Sequence, residues 1–189
     1  MMSASTVKCS VYIATSVDGF IARPDGSIDW LQRPEYATTE LQGLRYEDFI
    51  ATVDTIVMGR KTFEQVLTFE HWPYEGVPVV VLTGGRLAVP AQLEGKVRLM
   101  NGAPAELVAR LGAEGKQHLY IDGGKTIQHF LEAGLIDELT ITRVPLVLGA
   151  GIGLFGEPGP EQRLHLLGCS VSANGFVQVR YARVRPHRP

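Results

Sequence analysis

Thr55-Ile-Val-Met-Gly-Arg-Lys-Thr-Phe63 is the stretch on which the reading of this chain turns. Thr55 to Met58 has the composition of a buried strand, and it runs into Gly59. A helix follows, continuing from Thr62 to Leu67 with Arg60, Lys61 and Thr62 at its start. The first turn of a helix presents backbone N–H groups that lack intrahelical partners, together with the positive end of the helix dipole. Cationic side chains are unfavourable there unless an anion joins them, and a glycine lets that anion approach the backbone. Gly59, Arg60 and Lys61 therefore read better as a phosphate trap than as a solvated helix start.

The same pattern returns further on, where His118-Leu-Tyr-Ile121 ends in Asp122-Gly123-Gly124 and Lys125-Thr126-Ile127 opens the next helix. A Gly-Gly turn alone is common for geometric reasons. Two such turns in one chain suggest a dinucleotide. Neither G-x-G-x-x-G after the first strand nor G-x-x-x-x-G-K-[ST] occurs, so the cofactor must be held by some other fold.

Outward from these turns, strand-like runs recur at Val7 to Ala14, Val77 to Leu82 and Val97 to Leu99. Helical spacing appears between them: Thr38 to Thr52 with Leu41, Leu44 and Phe49, Ala103 to Leu111, and Thr126 to Ala133. Gly112 and Gly134 stand where the latter two helices should stop. The alternation predicts an α/β fold. In the last third, Glu138 to Val144, Leu164 to Val171 and Gly175 to Val184 read as strands with no room for crossover helices, so they should pair antiparallel. Ala173-Asn174-Gly175 supplies the hairpin turn. The expectation is a central mixed, mainly parallel sheet flanked by helices, closed by a C-terminal antiparallel hairpin, with 145–160 as a Gly- and Pro-rich loop. All of residues 1–189 are read as one domain with a short frayed tail after about 184.

A formal net charge of −2 argues against nucleic acid or an anionic membrane as partner. No apolar run is long enough to span a bilayer, and the N-terminus lacks the pattern of a secretory leader. Two cysteines, Cys9 and Cys169, and five scattered histidines offer neither a disulfide scaffold nor a metal site, so no metal is expected and the location is read as cytoplasmic.

In order along the chain, Ile13-Ala14-Thr-Ser-Val-Asp18-Gly19-Phe-Ile21-Ala22, Val57-Met58-Gly59-Arg60-Lys61-Thr62-Phe63 and Asp122-Gly123-Gly124 resemble the motifs of dihydrofolate-reductase-like proteins. The segment Val144-Pro-Leu-Val-Leu-Gly-Ala-Gly-Ile-Gly-Leu-Phe155 is similar to the branch containing the C-terminal reductase domain of the riboflavin biosynthesis protein RibD. The resemblance spans nearly the whole chain and implies a three-layer dihydrofolate-reductase-like fold binding NADPH. It puts Ala14, Gly19 and Ile21 at the nicotinamide, Gly59, Arg60, Lys61 and Thr62 at the phosphates, Gly123, Gly124 and Thr126 at the pyrophosphate turn, and Thr83 near the adenosine. NADPH in preference to NADH rests on Arg60 and Lys61, because Gly84 and Gly85 separate Thr83 from Arg86. Asp18-Gly19 matches the start of a mobile active-site segment, with Arg23 to Trp30 as a lid or, on the plainer reading, a turn with Trp30 as core filler. The related reductase domains pair through their C-terminal strands, which implies a homodimer that also uses Val144 to Leu148.

One position departs from the pattern. True dihydrofolate reductases carry a pterin-binding carboxylate on the first helix, whereas Gly43 falls there in this chain. Glu47 and Asp48, with Asp18, are the remaining carboxylates taken as catalytic candidates, set against the plainer view of Glu47 and Asp48 as solvated helix residues. The expected activity is NADPH-dependent hydride transfer to a small, heterocyclic acceptor such as a pterin or ribosylaminopyrimidine. A strict dihydrofolate reductase and a non-catalytic nucleotide-binding or oligomerisation module are the alternatives.

Overall fold

The computed structural model of the protein describes residues 7–37, 40–156 and 159–184. In chain order the strands and helices are β1 (Lys8–Thr15), β2 (Phe20–Ala22), α1 (Pro34–Ala37), α2 (Tyr46–Ile50), β3 (Thr55–Gly59), α3 (Arg60–Val66), β4 (Val79–Leu82) and β5 (Val97–Met100). They continue as α4 (Pro104–Ala113), β6 (His118–Asp122), α5 (Gly124–Glu132), β7 (Glu138–Arg143), β8 (Ile152–Gly153), β9 (Leu164–Val171) and β10 (Val177–Arg183). The tail expected to fray after about 184 lies outside the described residues.

Eight strands form one sheet in the order β5-β4-β3-β6-β1-β7-β10-β9. All neighbours from β5 to β7 are parallel, and β10 runs antiparallel to both β7 and β9. The mixed, mainly parallel sheet with an antiparallel C-terminal hairpin is thus present. Strand periodicity divides the core into two layers. On one face Val57, Val80, Leu119 and Ile121 pack with Leu107, Leu111, Ile127 and Phe130 of α4 and α5. On the other, Ile56, Met58, Val79 and Tyr120 pack with Phe63 and Val66 of α3 and with Phe49 of α2. Burial of both faces explains why β3 reads as an uninterrupted apolar run.

Helix ends follow backbone chemistry. Gly134, with φ +62°, closes α5: Leu135 N–H reaches Phe130 O at 2.9 Å and Gly134 N–H reaches Leu131 O at 2.9 Å. In α4 the corresponding residue is Gly115 (φ +87°), not Gly112, with Lys116 N–H on Leu111 O. Gly112 lies within α4 with Val7 packed against it, where a Cβ would come within 2.8 Å of a Val7 methyl.

Two expectations are corrected. The helix read over Thr38 to Thr52 is confined, among the described residues, to Tyr46–Ile50. Gly43 takes φ +107°, and Gln178 of β10 receives the Leu44 N–H at 2.7 Å and donates to its carbonyl at 3.0 Å, which holds residues 43–44 in a non-helical bend. Residues 145–160 are not wholly loop, because Ile152 and Gly153 form β8 and pair antiparallel with β2.

Candidate active site

β3 leads through α3 to β4 on one side of the sheet, and the adjacent β6 leads through α5 to β7 on the other. Connections that diverge from neighbouring parallel strands leave a crevice at the strands' C-terminal ends, the usual ligand position in open α/β sheets. Gly59 and Gly123 sit at this switch point, and a cavity of about 600 Å³ lies beside it. Its lining includes Ala14, Ile21, Lys61, Thr62, Gly123 and Gly124, six of the residues anticipated from the sequence.

The two turns interlock. A side chain on Gly123, which also takes φ +87°, would overlap Thr62 Oγ1, and one on Gly59 would come within 2.9 Å of Thr126 Oγ1. A Cβ at Gly124 would meet methyls of Ile152 and Ile21 at 2.9 and 3.0 Å. These glycines are therefore required first by contact between the protein's own elements. Neither α3 nor α5 carries a side-chain N-cap, so their leading N–H groups keep their capacity for an anion. Arg60 lies outside the lining, with Nε on Glu64 at 2.7 Å in a half-exposed pair of the kind worth about 0.3–0.5 kcal/mol. Lys61 is exposed and faces the cavity. Thr83 stands at the end of β4, away from the lining, with its hydroxyl bonded to the Gly85 backbone.

One wall is the β2–β8 ribbon, which presents Ile21, Ala22 and Ile152. Asp18 fastens it. Its carboxylate accepts Ser16 Oγ–H at 2.6 Å, Leu148 N–H at 3.1 Å and Gly149 N–H at 2.8 Å, tying the turn after β1 to the segment before β8. The Ser16 hydroxyl, with help from the two backbone donors, lowers the Asp18 pKa to about 2. Gly19 (φ +87°) completes the turn, and its carbonyl accepts Leu154 N–H at 3.0 Å. Neither Asp18 nor Gly19 lines the cavity.

The loop that follows β2, residues 24–31, contributes Pro24, Asp25, Gly26, Ile28 and Leu31. Arg23 grips Asp29 through two hydrogen bonds of 2.6 and 3.1 Å across the base of this loop, and Trp30 is fully buried beneath it. The segment thus rims the cavity while its tryptophan fills core.

The floor holds groups that sequence reasoning passed over. Asp122, 9% exposed at the end of β6, accepts its neighbour's N–H from Gly123 at 2.8 Å and the Tyr74 hydroxyl at 3.2 Å. Burial raises its pKa, against the lowering effect of those two donors. Tyr74 is buried too, and its phenol is pushed far above the ordinary range, chiefly by desolvation and then by the Asp122 charge. A carboxylate closing the apolar run Leu119-Tyr120-Ile121 was the available signal, since such a strand end is buried unless the chain turns outward.

Glu47 and Asp48 lie on the exposed side of α2 and are absent from the lining; Asp48 pairs with Arg45 at 2.9 Å. Gly43 has no room for a side chain, because a Cβ would press on Gln178 Oε1 and Ser170 Oγ. Among the described residues, no His, Cys, Asp and Glu cluster is placed to hold a metal, and no helix is long and apolar enough to cross a membrane.

With this geometry in place, comparisons with known proteins become specific. The uncharacterized protein YwjB of Bacillus subtilis is 38% identical over 178 residues, covering 93% of this chain and 98% of that protein. A crystal structure from Shewanella sp. PV-4, ascribed provisionally to riboflavin biosynthesis, superposes with TM-score 0.84 at 39% identity, covering 95% of this chain and all of that one. A Thermotoga maritima protein described as a diaminohydroxyphosphoribosylaminopyrimidine deaminase/5-amino-6-(5-phosphoribosylamino)uracil reductase shares the fold, with TM-score 0.69 at 14% identity; this chain spans 57% of its length. The RibD C-terminal domain model matches residues 8–178. With motifs, sheet order and that match in agreement over most of its length, the chain belongs to the RibD C-terminal domain family.

Proposed function

We propose that the protein is a cytoplasmic reductase that uses NADPH to reduce a C=N or C=O bond in a small heterocyclic acceptor. The observation that carries this reading is the pair of uncapped helix starts, α3 and α5, meeting through Thr62 and Gly123 at the switch point of the sheet, directly beside a buried acid. The residues present fit the cofactor. Lys61, Thr62, Gly123 and Gly124 would hold its phosphates, with Ala14 and Ile21 at the nicotinamide, whereas Gly59 and the buried Thr126 pack against each other and do not line the cavity. Arg60 joins Lys61 at the extra phosphate, since its exposed pair with Glu64 costs little to exchange.

Bound NADPH supplies a hydride, and the chain must supply position, dryness and a proton. Ile21, Ala22 and Ile152 keep water from the reacting bond. Asp122, whose pKa burial raises, would supply the proton: in its protonated form it would donate to the atom that gains electron density and be recharged from solvent, while Tyr74 fixes its orientation. Gly43, with no space for the pterin-binding carboxylate, disfavours a strict dihydrofolate reductase.

Melting curves with increasing NADPH and NADH test the cofactor. The NADPH shift should be larger and should shrink in Lys61→Ala. Equal shifts remove the phosphate preference, and no shift with either removes the cofactor. NADPH binding without oxidation across pterins, pyrimidines and flavins would favour the non-catalytic module instead.

The same reading includes a homodimer. β9 is a free sheet edge on which Leu166 and Val171 are 53% and 65% exposed, and Val147 nearby in sequence to β8 is 66% exposed, while Val144 is core. Light scattering should give twice the 20.7 kDa chain mass; the monomer mass across micromolar concentrations rejects pairing.

A further inference from the structure

We propose that Gln128 is a positioning residue for hydride transfer, a role that rests on the reductase reading. From within α5 it holds the β2–β8 ribbon in register, so that the helix whose start receives the cofactor's phosphates also sets the wall beside the nicotinamide.

The ribbon cannot fix its own register. β2 and β8 have three and two residues, and they share two Cα pairs, Phe20 with Gly153 and Ala22 with Ile152, with a shift between them. Isolated two-stranded pairings are marginal in water, and so short a ladder specifies register weakly. Apolar burial supplies depth, because Leu154, directly after β8, is 1% exposed in the core. That force is non-directional and leaves a two-residue strand able to slide or turn. Directional bonds prevent this. Asp18 and Gly19 tie residues 148–154 to the turn after β1, which leads into the ribbon itself. Gln128, 9% exposed, supplies a bond from outside the ribbon: its Nε2–H donates to the Gly153 carbonyl at 2.8 Å. A carbonyl only accepts, so the amide nitrogen must be the atom that faces it.

Its place on α5 gives the bond a consequence. Gly124 and Gln128 are four residues apart and therefore share one face of the helix. At Gly124 that face meets the ribbon through methyls of Ile152 and Ile21, both of which line the cavity. One turn further on it meets the ribbon again, where Gln128 reaches Gly153. The chain after β8 passes close to the same amide, since a Cβ at Gly156 would come within 3.1 Å of Gln128 Oε1. Beyond that crossing the packing is loose: Phe155 is 58% exposed, and a second cavity of about 210 Å³ opens there, with Gln128, Phe155 and Gly156 in its lining. A strand beside a void has room to shift, and the bond from Gln128 resists that shift. Two contacts on one helix thus carry the position of the phosphate turn into that of the wall. A displaced Ile152 would admit water and let the nicotinamide tilt, and a misplacement of about 1 Å can cost about a hundredfold in rate.

Fluorescence of bound NADPH tests this with the intact protein and needs no acceptor. In the parent, a nicotinamide shielded from water should emit more strongly and further to the blue than the free cofactor. Gln128→Met keeps the length and burial of the side chain and removes the donor. It should bind NADPH within about threefold of the parent, because the phosphate contacts remain, yet lose most of the emission change. Gln162→Met is the control: Gln162 donates to the Leu131 carbonyl of α5 at 2.6 Å, away from the ribbon, and its loss should leave emission at the parental level. Gln128→Glu is the second variant. As a neutral acid it can donate to the Gly153 carbonyl, and as a carboxylate it opposes that oxygen, so its emission should approach the parent's as pH falls and depart from it as pH rises. Parental emission in Gln128→Met, equal losses of emission and affinity, an equal effect from Gln162→Met, or a pH-independent Gln128→Glu overturns the proposal. So does a parent whose bound NADPH emits like the free cofactor. If NADPH raises the melting temperature of the parent and the Gln128 variants match it, the cofactor site stands and only the role of Gln128 falls. If NADPH has no effect on melting, the reductase reading itself fails.

Discussion

Asp18 and Asp122 stand beyond or at the ends of two neighbouring parallel strands, β1 and β6, and their surroundings drive them in opposite directions. Asp18 is exposed, collects three hydrogen-bond donors and has its pKa lowered to about 2. Asp122 is buried, accepts from the Tyr74 hydroxyl and its neighbour's N–H, and is pushed upward by desolvation. An acid that stays ionised cannot deliver a proton at working pH, but it can hold backbone donors in place. One whose burial holds its proton to higher pH is the better placed of the two to deliver it. The comparison teaches that the carboxylate in a recognisable motif is a fastener, while the one at an anonymous strand end sits where chemistry would occur.

Replacing the floor acid tests the comparison hardest. Asp122→Asn keeps the shape and removes the proton, so turnover with a working acceptor should fall by about a hundredfold or more. The NADPH-induced melting shift should persist. Loss of only a few-fold would remove Asp122 as the proton source.

Tyr74→Phe should act more mildly and with a defined sign. The Tyr74 hydroxyl lowers the Asp122 pKa, so its removal raises that pKa further and moves the alkaline limb of the pH–rate profile upward. The carboxyl also loses a buried partner, at a cost of about 1–3 kcal/mol in urea unfolding. A limb that stays put or moves down contradicts Asp122 as the group being titrated.

What could be read from sequence divides by the range of the contacts involved. Gly59 to Thr62 was legible because strand, turn and helix start are all written within nine residues. The segment around Gly43 was not: Leu41, Leu44 and Phe49 keep helical spacing, but Gln178, 134 residues from Leu44 in the chain, claims the backbone that a helix would need. The β2–β8 ribbon escaped because strands of three and two residues carry no periodicity, and only their pairing across the chain defines them. Asp18 was read from the sequence as a catalytic candidate, whereas its fastening part depends on N–H groups of Leu148 and Gly149 some 130 residues away. Asp122 was quoted only as part of a turn, since its burial and its link to Tyr74 arise in the folded chain.

Asp18→Asn gives the smallest expected effect and separates the two aspartates most cleanly. An amide presents one oxygen and one NH2, so it can satisfy either Leu148 N–H or Gly149 N–H but confronts the other donor. The ribbon should loosen, KM should rise several-fold with kcat less affected, and the pH–rate profile should keep its shape because no proton passes through Asp18. Stability adds an independent sign. The folded-state pKa of Asp18 lies near 2, below the unfolded value of 3.8, so its contribution is present above about pH 4 and is lost as pH falls toward 2. Asp122 behaves inversely: with its folded pKa raised, the unfolded state ionises first, and stability declines as pH rises above 3.8. Melting temperatures from pH 2 to 7 should therefore show Asp18→Asn below the parent at neutral pH and converging with it in acid. Asp122→Asn should lie above the parent at neutral pH and lose that advantage in acid. Parallel curves for both variants would mean that the two carboxylates experience the same environment, which the hydrogen bonds at each site oppose.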